Sequence, residues 1–226
     1  MATLSQVSSK VMNFLRGGYQ NQENRIDWEL VYDEIDTQRA VAIDEEFKQN
    51  KQLDAQLFQE VCCLKTVCTP IVCDGIDSGD SELIVELPEL LTLYGKTFIS
   101  YFGGVDKKSP YSELTITQNT YKDAMLYGKK KPTYARIGST AYISDPPTCG
   151  LKYTCLVAIL AKPRNTSCSK LTVEDEYPLP EKLIARVQYL STLSLVGMLN
   201  LSPEQLNNAR DDIRESFGYN RKSNKG

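Results

Sequence analysis

The most informative absence in this 226-residue chain is histidine, which occurs at no position. Without an imidazole there is no Ser-His-Asp or Cys-His catalytic set and no histidine metal ligand. The side chain that most often moves protons near neutral pH is also missing. The chain shows no other recognisable catalytic set, so we expect a protein that is not an enzyme. Carboxylates and lysine can still support catalysis, and a histidine-free enzyme is kept as an alternative.

Long apolar segments are also absent. The longest uninterrupted apolar run, residues 155–161, is far shorter than the roughly 20 residues that a membrane helix needs. Residues 1–7 carry neither the basic nor the apolar part of a secretory signal. We therefore expect no membrane partner and a protein that assembles in the cytoplasm of its host cell.

Cysteine is plentiful, but its pattern favours neither disulfides nor metal. Seven cysteines are present, an odd number in a chain without a secretory signal, which disfavours a disulfide framework. Four of them could in principle bind zinc: Cys68, Cys73, Cys149 and Cys155. No C-x-x-C pair occurs, and the spacings lie at or beyond the usual range for zinc sites. We expect buried thiols and no cofactor, with a cysteine metal-binding protein as an alternative.

The composition is that of an ordinary soluble globular protein. Apolar residues make up 41% of the chain and charged residues 24%. The net charge of −3 and the pI of about 5.2 disfavour a protein whose whole surface binds nucleic acid. A local basic patch is compatible with these values.

Two helices are predicted in the first 50 residues. Ser5 is a suitable N-cap for the first helix, which Gly17-Gly18 ends. The second helix begins after Asp27 and runs to about Asn50. Its apolar face carries Trp28, Val31, Ile35, Ala42 and Phe47, and its charged residues, among them Glu34 and Arg39, cover the other side.

The middle of the chain favours β structure. Residues 61–72 mix cysteine, β-branched residues and one proline, which predicts a strand or two near a sheet edge. Residues 74–80 predict a turn. A hairpin is predicted around Gly138-Ser139, because a glycine-first turn suits tight hairpins. Residues 152–162 give the strongest strand, and their apolar run suggests that both faces are covered.

Helical spacing returns after a proline-rich seam, Glu176-Tyr177-Pro178-Leu179-Pro180-Glu181. Pro180 is expected at the first helical position, where its missing N–H leaves no hydrogen bond unmade. The two prolines keep the approach to this helix extended. Residues 202–205 form a capping box that opens a final helix ending at Gly218, and residues 219–226 make a polar, net basic tail.

These elements predict an α+β fold in which a helical platform carries an inserted β-rich lobe. Each helical end is too short to hide its own apolar face, so we expect the two ends to pack on each other. The expected division is 1–57 and 178–218 for the platform, 58–177 for the lobe and 219–226 for a flexible basic tail.

The candidate contact residues are basic and lie in two segments. A predicted loop tip could contact DNA phosphate or an acidic partner through Lys129, Lys130 and Lys131, although such a tip more commonly serves solubility. A mobile tail can become ordered against a partner. Its candidate protein-interface residues are Tyr219, Arg221, Lys222 and Lys225.

An acidic segment is the remaining candidate ion site. It contains Asp74, Asp77, Asp80 and Glu82. The spacing does not match the calcium loop in which side chains two residues apart converge on one ion. A solvated turn is therefore predicted, and no metal-ligating or catalytic residue is assigned.

The order of several short motifs resembles a known group of proteins. Residues 86–95 read Glu-Leu-Pro-Glu-Leu-Leu-Thr-Leu-Tyr-Gly and precede a predicted strand, and residues 132–138 read Pro-Thr-Tyr-Ala-Arg-Ile-Gly. Ala141-Tyr142-Ile143 and the proline-rich seam follow. In this order they resemble the ring, or head–tail connector, proteins in the neck of crAss-like tailed bacteriophages.

The resemblance implies a structural role in the virion. Copies would form a closed ring, twelve-fold in such connectors, that joins the portal to the tail and surrounds the DNA channel. The implied partners are other copies of the chain, the portal protein, adjacent neck and tail proteins and, transiently, the genomic DNA. The alternative within the same class is another phage structural protein, such as a tail terminator or tail component.

Overall fold

The structure is a computed structural model that describes residues 2–16, 26–73, 76–115, 117–118, 132–144, 151–164 and 171–199. Of residues 70–73, 76–82 and 199 it describes the backbone. The fold class is α+β, as predicted. The chain divides into two compact units: a helical unit from Met1–Leu57 and Thr172–Gly226, and a β unit from Phe58–Leu171.

The first helix, α1 (Leu4–Leu15), begins two residues before the position that Ser5 predicted. Its N-cap is Thr3, whose hydroxyl accepts a hydrogen bond from the Gln6 N–H, while the Gln6 side chain accepts one from the Thr3 N–H. This reciprocal capping box satisfies two backbone donors at once. Ser5 instead donates its N–H to the carbonyl of Val173. The prediction of Ser5 as the cap was therefore wrong.

The second helix, α2 (Trp28–Asn50), has the predicted bounds and the predicted N-cap, Asp27. Three side chains on it are not where the sequence placed them. Trp28 is 40% exposed and its ring contacts that of Tyr32, because it lies in the first helical turn, away from the core residues of this helix. Arg39 and Glu34, both predicted on the solvent side, are buried.

The third helix, α3 (Glu181–Leu199), follows Pro180 directly and packs against both α1 and α2. The predicted packing of the two helical ends on each other is thus confirmed for the described helices. The apolar positions that face this core include Leu183, Val187 and Leu195. No helix in the described part of the chain is both long and apolar enough to cross a lipid bilayer.

The β unit contains a seven-stranded sheet and a separate two-stranded hairpin. The strand order in the large sheet is β5-β9-β1-β2-β8-β7-β6, and β3 pairs with β4. The strands are β1 (Gln59–Cys73), β2 (Ile76–Glu86), β3 (Thr92–Leu93), β4 (Lys96–Thr97), β5 (Ile99–Gly104), β6 (Ser112–Glu113), β7 (Thr133–Ile137), β8 (Thr140–Ser144) and β9 (Tyr153–Ala158). All pairs are antiparallel except β6 with β7.

Two strand predictions are confirmed and one is wrong. The hairpin around Gly138-Ser139 forms between β7 and β8, and Gly138 has the positive φ of 61° that its turn requires. Strand β9 forms within the predicted segment, and Thr154, Cys155, Leu156 and Ala158 are fully buried, so both of its faces are covered, as its apolar run indicated. The predicted turn over residues 74–80 is too long, because β2 already begins at Ile76.

An apolar core holds the large sheet together. Phe102 lies 2% exposed between two tyrosine rings, with ring centroids 5.8 Å from Tyr111 and 4.6 Å from Tyr134, in edge-to-face arrangements that suit aromatic packing. Other core residues come from most of the strands: Val61, Leu64, Leu83, Val85, Ala141, Ile143, Leu156 and Ala158. Because these side chains must all point into the core, they determine which face of the sheet is buried and the register in which its strands pair.

The expectation of free thiols was wrong for two cysteines. Cys62 of β1 and Cys155 of β9 are joined by a disulfide. The pairing of the two strands shifts register between Val61 and Leu64, so a bulge at residues 62–63 brings a cysteine opposite Cys155. The two cysteines are 93 residues apart in the sequence and become neighbours only through the register of the strands, so the sequence did not predict this pair.

Candidate assembly surfaces

The basic residues singled out in the sequence lie outside the described residues. This applies to the loop tip with Lys129, Lys130 and Lys131, and to the tail with Tyr219, Arg221, Lys222 and Lys225. Of the acidic segment, Asp77, Asp80 and Glu82 lie on strand β2 and not in a turn. They are therefore spread along a strand, unlike the residues of a calcium loop.

The most distinctive surface of the β unit is the far end of the β1–β2 hairpin. Seven residue pairs join the two strands, from Thr66 with Val85 to Cys73 with Ile76, with an irregularity between Pro70 and Val72. In the described residues, the neighbouring strands pair with only part of this hairpin. Strand β9 pairs with β1 no further than Lys65.

On the other side, strand β8 pairs with β2 only from Leu83 to Glu86. We call residues 67–73 and 76–82, the part of this hairpin beyond those described pairs, the β1–β2 arm. At about 3.3 Å per residue it is about 23 Å long. Among the described strands, nothing pairs with either of its outer edges.

The arm has an uneven composition. Its β1 strand, residues 67–73, has no charged residue, whereas its β2 strand contains Asp77, Asp80 and Glu82. Residues 66–86 contain no lysine or arginine. Where its side chains are described, the arm faces solvent: Val67 is 51% exposed, and Cys68 and Thr69 are also exposed.

The lateral edges of the large sheet are closed or short. At the β5 edge the chain doubles back, so that the Tyr111 N–H bonds to the Phe102 carbonyl and Gly103 forms a bridge with Pro110. A Cβ on Gly103 would lie 2.6 Å from the Ser109 carbonyl oxygen, so glycine permits this close approach. At the opposite edge, β6 is two residues long and carries Glu113. Short, charged or covered edges are the usual protection against unwanted strand pairing.

The helical unit exposes apolar side chains of its own. On α3, Tyr189 is 41% exposed and Leu193 is 48% exposed, and their spacing of four residues places them on one face of the helix. Met198, near the end of α3, is 58% exposed. This α3 face is a second candidate contact surface.

A buried polar network fixes the proline-rich seam inside the helical unit. The Arg39 side chain donates from Nε to the Pro178 carbonyl at 2.9 Å and from a terminal nitrogen to the Leu57 carbonyl at 3.5 Å. The Tyr177 hydroxyl donates to Asp36 at 2.5 Å. Burial lowers the pKa of Arg39, while Tyr177 and Asp36 act in the opposite direction. The network makes the seam a rigid part of the helical unit.

The zinc set proposed from the sequence is not brought together as a set of thiolates. Cys155 is bonded to Cys62, Cys68 lies on the arm, and Cys149 is outside the described residues. Donor atoms of Glu60, Cys62 and Cys155 lie within 4.8 Å of one another. Zinc is bound by thiolate sulfur, and a disulfide withdraws both sulfur atoms from that role.

The shifted pKa values in the β unit belong to packed tyrosines. Burial raises the pKa of Tyr101 and of Tyr111 above the ordinary value, with a smaller effect from the nearby Asp106. Burial also raises the pKa of Tyr134, and the Glu113 carboxylate adds to this effect. All three hydroxyls therefore stay protonated at neutral pH, in keeping with packing roles.

Reasoning from the sequence missed the β1–β2 arm, although a signal was present. Asp74-Gly75 is a dipeptide that favours a two-residue hairpin turn when strand-forming residues flank it. Because acidic residues follow this dipeptide, we predicted a longer turn over residues 74–80. The length of the arm could not be found this way, because it depends on where β8 and β9 end.

Comparison with models of known families gives a match over most of the chain. The family model described as phage tail ring protein 2, of the crAss-like phages, matches residues 6–213. No curated protein matches the chain. The match covers nearly all of both units and agrees with the resemblance found in the motifs. The chain therefore belongs to the phage tail ring protein 2 family, and it is a structural component of a crAss-like phage virion.

Proposed function

We propose that copies of this protein form a closed ring, twelve-fold in symmetry, in the neck of the virion. The ring connects the portal to the tail and surrounds the channel through which the DNA passes. Membership of the ring protein family carries this proposal, because a ring requires self-association. The position in the neck and the symmetry follow from the resemblance to crAss-like connectors.

The arrangement of surfaces supports a ring made by unlike contacts. In a ring of more than two copies, one surface of each subunit meets a different surface of the next. The β1–β2 arm and the exposed α3 face are two such surfaces, and they differ in secondary structure and composition. The arm offers a two-stranded ribbon with exposed residues at its base, whereas α3 offers apolar side chains on a helix.

The lysines at positions 129–131 are proposed to face either the DNA or an acidic neighbour. Three adjacent ammonium groups would attract phosphate without reading base sequence. The net charge of −3 leaves the remainder of the subunit without a general attraction for DNA. A ring that lets DNA pass needs this weak and local kind of contact.

Reconstruction of purified particles by electron cryomicroscopy tests the proposed ring directly. We expect twelve copies between the portal and the tail, with the DNA on the ring axis, and the chain should be identified in virions by mass spectrometry. Absence from particles would contradict a structural role in the virion. A ring at the far end of the tail would instead favour a tail terminator.

The basic tail is proposed to contact the portal or an adjacent neck protein through Tyr219, Arg221, Lys222 and Lys225. Truncation after Gly218 should leave the melting temperature of the isolated subunit within about 2 °C, because polar terminal residues bury little surface. Incorporation into particles should fall several-fold. A large fall in melting temperature would show instead that the tail belongs to the folded core.

A further inference from the structure

We propose that the disulfide between Cys62 and Cys155 is a redox-controlled lock on the β unit, open inside the host cell and closed in the released particle. In the closed state it ties strand β1 to strand β9. This inference requires the protein to be a virion component, and it does not depend on the symmetry or the position of the proposed ring. It follows from the place of the bond in the sheet, from the unequal burial of the two cysteines and from the carboxylate beside them.

The first argument concerns what the bond connects. In the strand order of the large sheet, β9 and β1 are neighbours, with β5 on one side of the pair and β2 on the other. The bonded cysteines are 93 positions apart, so the bond closes a long loop in the unfolded chain. In the chain-entropy account of disulfides, the stabilisation grows with the length of that loop. Closing the bond therefore stabilises the middle of the sheet.

The second argument is that the sheet can form before the bond does. Five residue pairs join β1 to β9 on the two sides of the bulge. One of them, Val61 with Leu156, lies in the apolar core. As a thiol, the buried Cys155 would act as a small apolar residue in that core. The two strands therefore keep their register with the bond open.

The Glu60 side chain provides a partner for Cys62 in the open state. Its carboxylate oxygen lies 3.0 Å from the Cys62 sulfur, within reach of a hydrogen bond that a thiol would donate. Glu60 is itself paired with Lys107 at 2.5 Å. A sulfur atom in a disulfide carries no hydrogen, so this contact favours the thiol over the bonded form. The site thus has a favourable arrangement in each redox state.

The redox conditions change when the particle leaves the cell. A virion protein is made inside the host cell, where small thiols and thioredoxin keep cysteines reduced. Outside the cell this supply of reductant is lost, and disulfides form and persist. The open state therefore belongs to synthesis and assembly, and the closed state to the released particle.

The unequal burial of the two cysteines determines how the bond closes. Cys62 is partly exposed, whereas Cys155 is completely buried, so a small disulfide such as oxidised glutathione reacts first at Cys62. The Cys62 thiolate attacks this small disulfide and releases one small thiol. The Cys155 sulfur then attacks the mixed disulfide at Cys62 and releases the second. The two protein thiols lose two electrons and two protons, which leave with the two small thiols.

Differential alkylation of the wild-type chain tests when the bond closes. Tryptic peptide 153–164 contains Cys155 as its single cysteine, so it reports the state of this residue. After acid quenching, free thiols are alkylated with one isotopic form of the reagent, and bonded cysteines with the other form after reduction. The ratio of bonded to free Cys155 should be at least about tenfold higher in purified particles than in infected cells before lysis.

Equal ratios of bonded to free Cys155 in the two samples would overturn the proposal. Absence of the chain from the particles would instead refute the role in the virion, so the two failures are distinguishable. Because this measurement uses the wild-type chain, it decides the proposal even where a variant misfolds.

Thermal unfolding of the purified subunit tests what the bond does. Oxidised glutathione should raise the melting temperature of Cys62→Ser by at least about 5 °C less than that of the wild type, since any other disulfide forms in both. Cys68→Ser is the matched control, because this exposed cysteine lies on the same strand, and its rise should equal that of the wild type. Equal rises for the wild type and Cys62→Ser would overturn the proposal.

Discussion

The two units of the molecule are stabilised by different kinds of interior. In the described residues, all the buried charged side chains, Glu34, Asp36 and Arg39, belong to the helical unit. The interior of the β unit is apolar and aromatic around Phe102, and its buried polar residues are uncharged: Gln59, Thr66, Thr133 and Thr154. The helical unit therefore combines an apolar core with a buried charged network, whereas the described part of the β unit buries no charged side chain.

The difference follows from what each unit must hold in place. In the sheet, neighbouring strands satisfy the backbone groups of one another, so the side chains need only be apolar and well packed. In the helical unit, the proline-rich seam pairs with the N-terminal segment through the isolated bridge of Glu176 with Thr3, and further along it a carbonyl takes its donor from a side chain. Arg39 supplies one to Pro178 across 139 residues of sequence. Specific polar side chains thus stabilise irregular backbone segments that helices and strands do not stabilise through their own hydrogen bonds.

The largest expected effect is that of Arg39→Ala. The substitution removes both donors to the seam and leaves polar groups buried without them, so the free energy of unfolding should fall by about 3–5 kcal/mol. The control is Arg186→Ala, since Arg186 pairs with Glu45 at the surface and should contribute about 1 kcal/mol or less. Chemical denaturation of both variants measures the difference, and similar losses would contradict a special role for the buried network.

A matched pair of hydroxyl deletions sharpens the comparison between the units. Tyr177→Phe removes a 2.5 Å hydrogen bond to the buried Asp36, so it should cost about 1–3 kcal/mol of unfolding free energy. Tyr134→Phe removes the same atom in the β unit, where the hydroxyl of the buried Tyr134 bonds at 3.3 Å to Glu113, whose side chain is 47% exposed. This variant should change stability by about 0.5 kcal/mol or less. Thermal unfolding of both variants decides whether the hydroxyl matters more in the helical unit.

A smaller, pH-dependent effect is expected from Lys182 on α3 and Glu46 on α2. Their 2.7 Å hydrogen bond lowers the pKa of Glu46 below 4.5 and raises that of Lys182 above 10.5. The stabilisation is therefore full between these two ordinary values. It is lost as pH falls through the lowered Glu46 pKa, or rises through the raised Lys182 pKa.

Lys182→Gln should accordingly melt below the wild type at pH 7 and together with it near pH 2. A melting-temperature series from pH 2 to 8 in low salt measures this convergence. A constant difference across the series would show that the lysine acts through packing and not through its charge.

The smallest effect is predicted at the β3–β4 turn. Tyr94 and Gly95 both have positive φ, of 52° and 72°, which is the backbone that Asn-Gly favours in tight hairpins. Tyr94→Asn should therefore stabilise the β unit by up to about 1 kcal/mol. Tyr153→Asn, at a similarly exposed tyrosine in the extended strand β9, should destabilise it. Thermal melts that ranked the two variants in the opposite order would contradict this account of the turn.

Local signals in the sequence were reliable where one side chain acts on nearby backbone. Asp27 starts α2, Pro180 immediately precedes α3, and Gly138 makes the turn between β7 and β8. The same reasoning failed for Ser5, because Thr3 offers a cap whose partner, Gln6, bonds back to it. Which of two neighbouring residues caps a helix depends on the local backbone geometry, and the residue types alone do not determine that geometry.

The candidate contact residues show more clearly which features could not be predicted from the sequence. The sequence drew attention to the basic residues 129–131 and 219–225, because charge is visible in a sequence. It did not show the β1–β2 arm, because the length of a strand depends on its pairing and not on composition alone. In the described residues, the pairing of β1 with β9 reaches Lys65 and that of β2 with β8 reaches Leu83.

The sequence by itself determined the α+β class, the bounds of α2, the tight β7–β8 hairpin and the family, since each depends on short-range preferences or on the order of motifs. Only the tertiary structure decided that Arg39 is buried and that Cys62 meets Cys155. These features depend on residues 18 to 139 positions apart. Residues this far apart in the sequence are brought together by strand register and helix packing, and no local sequence pattern predicts either.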